Sequence, residues 1–184
     1  MSEYPIAVLV GSLRRESLNR KLADAIAGLA PAGFAFNQLR IDDLPPYDQD
    51  DDANPSEPAR RLKREVAAAR GLLFVTPEYN RSFPGVLKNA LDHASRPYGQ
   101  NAWAGKPGGV IGASVGATGT ALAQQHLRNV LAYLDVPTLG QPEAFIQVKE
   151  GLFDAQGNVT NPGTLKFLQK WTDAWAAWVK RHAG

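Results

Sequence analysis

Three short segments carry small or apolar side chains at consecutive rather than alternate positions. They are Ile6, Ala7, Val8, Leu9 and Val10; then Gly71, Leu72, Leu73, Phe74 and Val75, closed by Thr76; and a run of small and β-branched residues over 109–115. A strand that is apolar on both faces needs both faces covered, and that is its situation inside a parallel sheet with helices on either side. Between these runs the apolar period changes to that of a helix. Leu18, Leu22, Ala25, Ile26 and Leu29 follow Ser17 at helical spacing until Pro31 and Gly33 end the pattern. Leu62, Val66 and Ala69 mark a second helix, Pro84 opens the first turn of a third through residues 86–91, and residues 120–134 form a fourth.

Residues 34–41 alternate weakly and read as an outer second strand, followed by a surface loop over 42–56 that is rich in Pro and Asp. Residues 144–148 read as the last strand, with 136–139 as a second candidate for part of it. Asn161 as N-cap and Pro162 in the first turn open a closing helix, in which Leu165, Leu168, Trp171, Trp175 and Trp178 share one face. That aromatic stripe is read as core or subunit contact. Five strands alternating with five helices predict one doubly wound α/β domain over residues 1–184, without linker or repeat.

Composition removes several chemistries. The chain has no Cys, so disulfides, thiolate metal sites and cysteine nucleophiles are excluded, including the low-molecular-weight phosphatase reading, and redox work requires a bound cofactor. A formal charge of +2, with basic and acidic residues interspersed, offers no basic stripe for nucleic acid. No apolar run approaches the roughly 18 residues of a membrane span, and residues 1–5 carry no charged-then-apolar leader, so a cytoplasmic protein is expected. His126 and His182 lack partners at metal spacing, and Asp50, Asp51 and Asp52 read as a solvated acidic loop, so no metal is assigned.

In open α/β sheets ligands bind beyond the carboxyl ends of the strands, where strand order reverses, which directs attention to the loops after strands one, three and four. The first runs Gly11, Ser12, Leu13, Arg14, Arg15, Glu16, Ser17, Leu18, Asn19, and offers hydroxyls, a guanidinium and an amide where a helix begins. Unpaired N–H groups and the positive helix end favour a phosphate there. The competing reading makes Ser17 a plain cap and leaves Arg14 and Arg15 solvated. The loop matches neither the Walker pattern nor the Gly-x-Gly-x-x-Gly fingerprint. The second loop, residues 76–84, carries Tyr79 and Phe83 among polar and rigid positions; the third, residues 114–119, is glycine-rich. Together the three fit a ligand with a phosphate at one end and a planar ring at the other.

The residues Gly11, Ser12, Leu13 and Arg14, with Ser17, Leu18 and Asn19 and then Pro77, Glu78, Tyr79 and Asn80, resemble the signatures of the NAD(P)H-dependent FMN reductases. That family includes quinone, chromate and azo-compound reductases. The similarity extends through Leu87, Lys88, Asn89, Ala90, Leu91 and Asp92 to the glycine-rich loop, and so over nearly the whole chain. It implies a flavodoxin-like fold with a five-stranded parallel sheet in the order 2-1-3-4-5. It places an FMN phosphate on Ser12, Arg14, Ser17, Leu18 and Asn19, and the isoalloxazine against Pro77, Glu78, Tyr79 and Asn80, with Ser114 and Gly116 along the other edge. It further implies NAD(P)H as co-substrate, a quinone or similar small acceptor reduced by a ping-pong route, and a homodimer or homotetramer, in which Arg128 and Glu143 are candidates for a contact between subunits. No protein side chain is assigned as catalytic; N–H groups at 116–119 are expected to stabilise charge on the reduced ring. His93 departs from the aromatic residue, commonly Trp, expected at its position. An electron carrier of flavodoxin type shares fold and cofactor, but that type is strongly acidic and this chain is slightly positive. A signalling receiver domain needs an Asp at the end of strand three, where this chain has Thr76, Pro77 and Glu78.

Overall fold

The computed structural model describes residues 4–183, and the leader-free reading of residues 1–3 lies outside them. The consecutive apolar runs form β1 (Tyr4–Val10), β3 (Gly71–Val75) and β4 (Gly108–Ser114), and β2 (Phe34–Gln38) and β5 (Phe145–Gln147) flank them. All pairings are parallel and the order is β2-β1-β3-β4-β5, the flavodoxin-like arrangement. The helices are α1 (Leu18–Leu29), α2 (Glu57–Ala68), α3 (Gly85–Ser95), α4 (Ala121–Tyr133) and α5 (Pro162–His182), with a 3-10 turn at Gln49–Ala53 inside the acidic loop.

Side-chain alternation in the buried strands divides the core in two. Ala7, Leu9, Leu72, Phe74 and Val110 face α2, α3 and α4, while Ile6, Val8, Val10, Leu73 and Ile111 face α1 and α5. The tryptophan stripe of α5 is core: Trp171 and Trp175 are fully buried and stack with ring centroids 6.1 Å apart. Leu165 leaves the stripe and is 40% exposed, whereas Trp178 donates from Nε1 to the Pro137 carbonyl at 2.8 Å. The glycine of β4 explains how so large a ring reaches the sheet, since a Cβ at Gly109 would stand 2.4 Å from Trp175 Cδ1.

Two boundaries differ from the sequence reading. β2 ends at Gln38: the Leu39 N–H still donates to the Val8 carbonyl at 2.9 Å, the Arg40 carbonyl then accepts from the Arg61 guanidinium at 2.6 Å, and Leu39 and Ile41 stay buried. The fifth strand is divided: Thr138 pairs in parallel with Gly108 at the start of β4, and only residues 145–147 pair with its end. Both sequence candidates therefore contribute to that edge. Among the described residues no helix is long and apolar enough to cross a membrane.

The Gly109→Ala variant is expected to lose about 1–3 kcal/mol through overpacking against Trp175. Chemical denaturation, with the tryptophan emission as reporter, measures it.

Candidate functional site

The carboxyl edge of the sheet gathers the three loops by specific contacts. Gly11 donates its N–H to the Val75 carbonyl at 2.9 Å, and a Cβ there would meet Pro77 at 3.3 Å and Pro84 at 3.4 Å, so the first two loops lie against one another. Gly112 has no room for a side chain either: a Cβ would fall 2.1 Å from the Thr76 carbonyl oxygen and 2.3 Å from Thr120 Oγ1. Those contacts bring the end of β3 and the start of α4 onto β4.

Asn19 joins the first loop to the third. Its side chain donates from Nδ2 to the Ala113 carbonyl and accepts from the Ala113 N–H, both at 2.9 Å, and it is buried. This amide completes the backbone pairing where β4 would otherwise end with open groups. With its side chain held by Ala113, Asn19 offers a ligand chiefly its backbone N–H. Ser17 caps α1, accepting from the Arg20 N–H at 3.2 Å, and its carbonyl takes the Lys21 N–H. The N–H groups of Leu18 and Asn19 precede any intrahelical acceptor and point out of the helix start. Ser12 is buried, while Arg14 and Arg15 are exposed and no described residue partners their side chains.

The second loop is held from α4. Glu78 Oε2 accepts from the N–H groups of Leu122 and Ala123, each at 3.1 Å, and so supplies the cap that Thr120 does not. Phe83 turns inward against the core, and Tyr79 faces solvent. In the third loop the Gly116 N–H goes to Ser114 Oγ at 3.1 Å and the Gly119 N–H to the Gly116 carbonyl at 3.0 Å. The charge-stabilising donors expected along 116–119 are therefore reduced to those of Ala117 and Thr118.

One large apolar side chain stands exposed on each loop: Leu13 at 56%, Tyr79 at 48% and Val115 at 72%. A cleft of about 470 Å³ opens between Gly11, Leu13 and Arg14 on one side and Tyr79, Pro84 and Val86 on the other. An open helix start with hydroxyls and a guanidinium, next to three unburied apolar side chains, fits a molecule that is anionic at one end and flat and apolar at the other.

Sequence reasoning missed Gln124. It is fully buried and its amide donates to Thr120 Oγ1 at 2.9 Å and to the Ala144 carbonyl at 2.7 Å, fixing the interrupted fifth strand against α4. His93 lies away from the crevice, its Nε2 2.8 Å from the Pro45 carbonyl oxygen and its ring edge-on to Tyr47. Arg128 donates within its own chain to the Leu139 carbonyl at 2.8 Å. Burial pulls its guanidinium down from the usual arginine range, against the opposing charge of Glu143 in the same chain.

The chain is similar to known proteins along nearly its whole length. The sequence profile of the NADPH-dependent FMN reductase family matches residues 4–151. A 2-hydroxy-1,4-benzoquinone reductase of a Burkholderia species is 58% identical over 175 residues, 95% of this chain and 96% of its own length. A quinone reductase of Pseudomonas putida is 48% identical over 178 residues, covering 96% of this chain and 95% of its own. Among solved structures, the flavoenzyme NAD(P)H:(acceptor) oxidoreductase FerB of Paracoccus denitrificans superposes with a TM-score of 0.94 at 46% identity, over 98% of this chain and 100% of that one.

Removing the Asn19 amide leaves buried backbone groups of Ala113 without partners, so Asn19→Ala is expected to cost about 1–3 kcal/mol. Asn19→Asp, which cannot donate to the carbonyl, should recover only part of that loss in urea denaturation.

Proposed function

The chain belongs to the NADPH-dependent FMN reductase family, and from that premise we propose that it reduces small quinones with an FMN held across the three loops. It is an FMN-dependent NAD(P)H oxidoreductase. The single observation that carries the site assignment is the α1 start, where the open N–H groups of Leu18 and Asn19 stand beside the hydroxyls of Ser12 and Ser17. In this reading those four residues and Arg14 hold the phosphate, the ring lies against Pro77, Glu78, Tyr79 and Asn80, and Ser114 and Gly116 border its far edge.

Bound FMN supplies two-electron redox chemistry, which no side chain of this chain can perform. The protein's part is orientation. Strand ends close the inner side of the crevice, so NAD(P)H and the acceptor take turns on the solvent side, which is the basis for a ping-pong sequence. Leu13, Tyr79 and Val115 exclude water from the ring margin once it is covered. The relatives' acceptors support a quinone, with other small oxidants as secondary substrates.

A cytoplasmic homodimer or homotetramer completes the proposal. Tyr98 and Tyr133, both more than four-fifths exposed, flank a cleft of about 580 Å³ between α3 and α4 and supply the apolar surface that a subunit contact covers.

Purified protein is expected to be yellow, to release FMN on heating, and to oxidise NAD(P)H rapidly only when a quinone is present; colourless protein that takes up no FMN refutes the proposal. A charged hydrogen bond contributes about 1.5–3 kcal/mol, so Arg14→Ala should weaken FMN binding roughly tenfold to a hundredfold. Titration of apoprotein with FMN, followed by flavin fluorescence, measures that change.

A further inference from the structure

Among the described residues three that are not glycine have positive φ: Asn80 at 51°, Arg81 at 67° and Asp135 at 59°. Asn and Asp tolerate the left-handed region through local hydrogen bonds of their short side chains; arginine has no such compensation. Asn80 and Arg81 are the two central residues of a tight turn closed by Tyr79 N–H to Ser82 carbonyl at 2.8 Å and the reciprocal bond at 3.0 Å. Positive φ at both centres is the signature of a type I′ turn, whose preferred pair is Asn-Gly. Arg81 thus stands where glycine would fit without strain.

The turn is fixed from two sides. Ser82 Oγ lies 3.1 Å from His126 Nδ1 on α4, and Glu78, just before the turn, is bound to the first N–H groups of the same helix. An arginine kept in a strained conformation on a rigid support is the kind of outlier from which a function is inferred.

Charge distribution adds an independent observation. Arg40, Arg60, Arg61, Arg64 and Arg128 all bond within the chain, and Arg96 lies over the Tyr47 ring. Arg81 is exposed and without a side-chain partner among the described residues, as are Arg14 and Arg15 on the facing loop, Arg20 on α1 and Arg181 near the end of α5. The carboxylate within that stretch of the first loop, Glu16, is directed to Lys21 at 3.7 Å. Arg14 lines the cleft and Arg81 stands in the turn between Tyr79 and Pro84 on its other wall, so one free guanidinium beyond the one assigned to the FMN phosphate stands beside it.

We propose that Arg81 is a specificity-determining residue for the hydride donor, its guanidinium binding a phosphate of the nicotinamide dinucleotide. The inference rests on the function proposed above and adds to it the donor's anchoring point. Both the pyrophosphate and the 2′-phosphate of NADPH offer this chemistry, and the guanidinium serves as a bidentate partner for either.

The test compares Arg81→Gly and Arg81→Lys with the parent, each loaded with FMN. The donors are NADH, NADPH and the phosphate-free 1-benzyl-1,4-dihydronicotinamide, with a quinone at saturation. Arg81→Gly should melt at a higher temperature, because the turn is relieved, and keep its FMN content. It should also raise KM for the dinucleotides, and Kd for NAD+ and NADP+ read from the flavin absorbance, by about tenfold, with kcat close to the parent value. Kinetics with the benzyl donor should not change, and Arg81→Lys should recover part of the dinucleotide affinity. A loss shared by NADH and NADPH assigns the pyrophosphate, and a loss confined to NADPH assigns the 2′-phosphate. Unchanged dinucleotide binding in Arg81→Gly, or an equal loss with the benzyl donor, overturns the inference while the parent remains an active flavoenzyme. Parent protein that holds no FMN and oxidises none of the donors overturns the proposed function itself.

Discussion

Two of the helices that begin at the carboxyl edge of the sheet, α1 and α4, differ in the fate of their first N–H groups, and that difference determines where a charged ligand can go. α4 is closed: the Glu78 carboxylate takes the N–H groups of Leu122 and Ala123 and brings a negative charge to the positive helix end. α1 is open, since Ser17 satisfies only the Arg20 N–H with its side chain and the donors of Leu18 and Asn19 remain for an outside acceptor. An anion is therefore drawn to α1 and repelled from α4. In the proposed assignment, that asymmetry gives the crevice between two otherwise similar loops its phosphate end and its ring end.

The same edge shows how much the sequence discloses. Consecutive apolar runs located β1, β3 and β4, and helical spacing located α1, α2 and α5, because those signals are local and the buried parallel sheet imposes them directly, whereas β2 rests on weak alternation alone. The chemistry-bearing loops were legible for a related reason: glycines, hydroxyls and an arginine between a buried strand and a helix have few structural uses. The actual partners were not legible. Asn19 reads as a phosphate ligand, yet its side chain is bound to Ala113, 94 positions away, and Glu78 reaches a helix 44 positions on. Pairings of this kind depend on the sheet having assembled and leave no periodic trace. The divided fifth strand belongs to the same class, since it is Gln124 on α4 that binds the Ala144 carbonyl beside its second half.

Packing and site are connected through the glycines of β4. Gly109 admits Trp175 onto the sheet, and Gly112, three positions on and across the pleat, admits Thr120 and the carbonyl of Thr76. One strand thus seats the closing helix on its α5 face and draws the ligand-bearing loops together at its end. The rigidity of the crevice follows from that arrangement, because the loops are braced by a packed layer in which fully buried tryptophans leave little room for adjustment.

The exposed side chains of the crevice complete the physical picture. Leu13, Tyr79 and Val115 are apolar and unburied, and Arg81 is strained; in a chain selected for stability alone each would be replaced by something cheaper to fold. Their coincidence on three loops at one sheet edge is the pattern expected when stability is given up for binding. In the proposed site, a flat cofactor would recover part of that loss by covering the apolar residues and would stabilise the native state in proportion to its own affinity. The cofactor is then a structural component of the edge as well as its reactive group, which accounts for a chain with no redox-active side chain devoting its most constrained loops to this crevice.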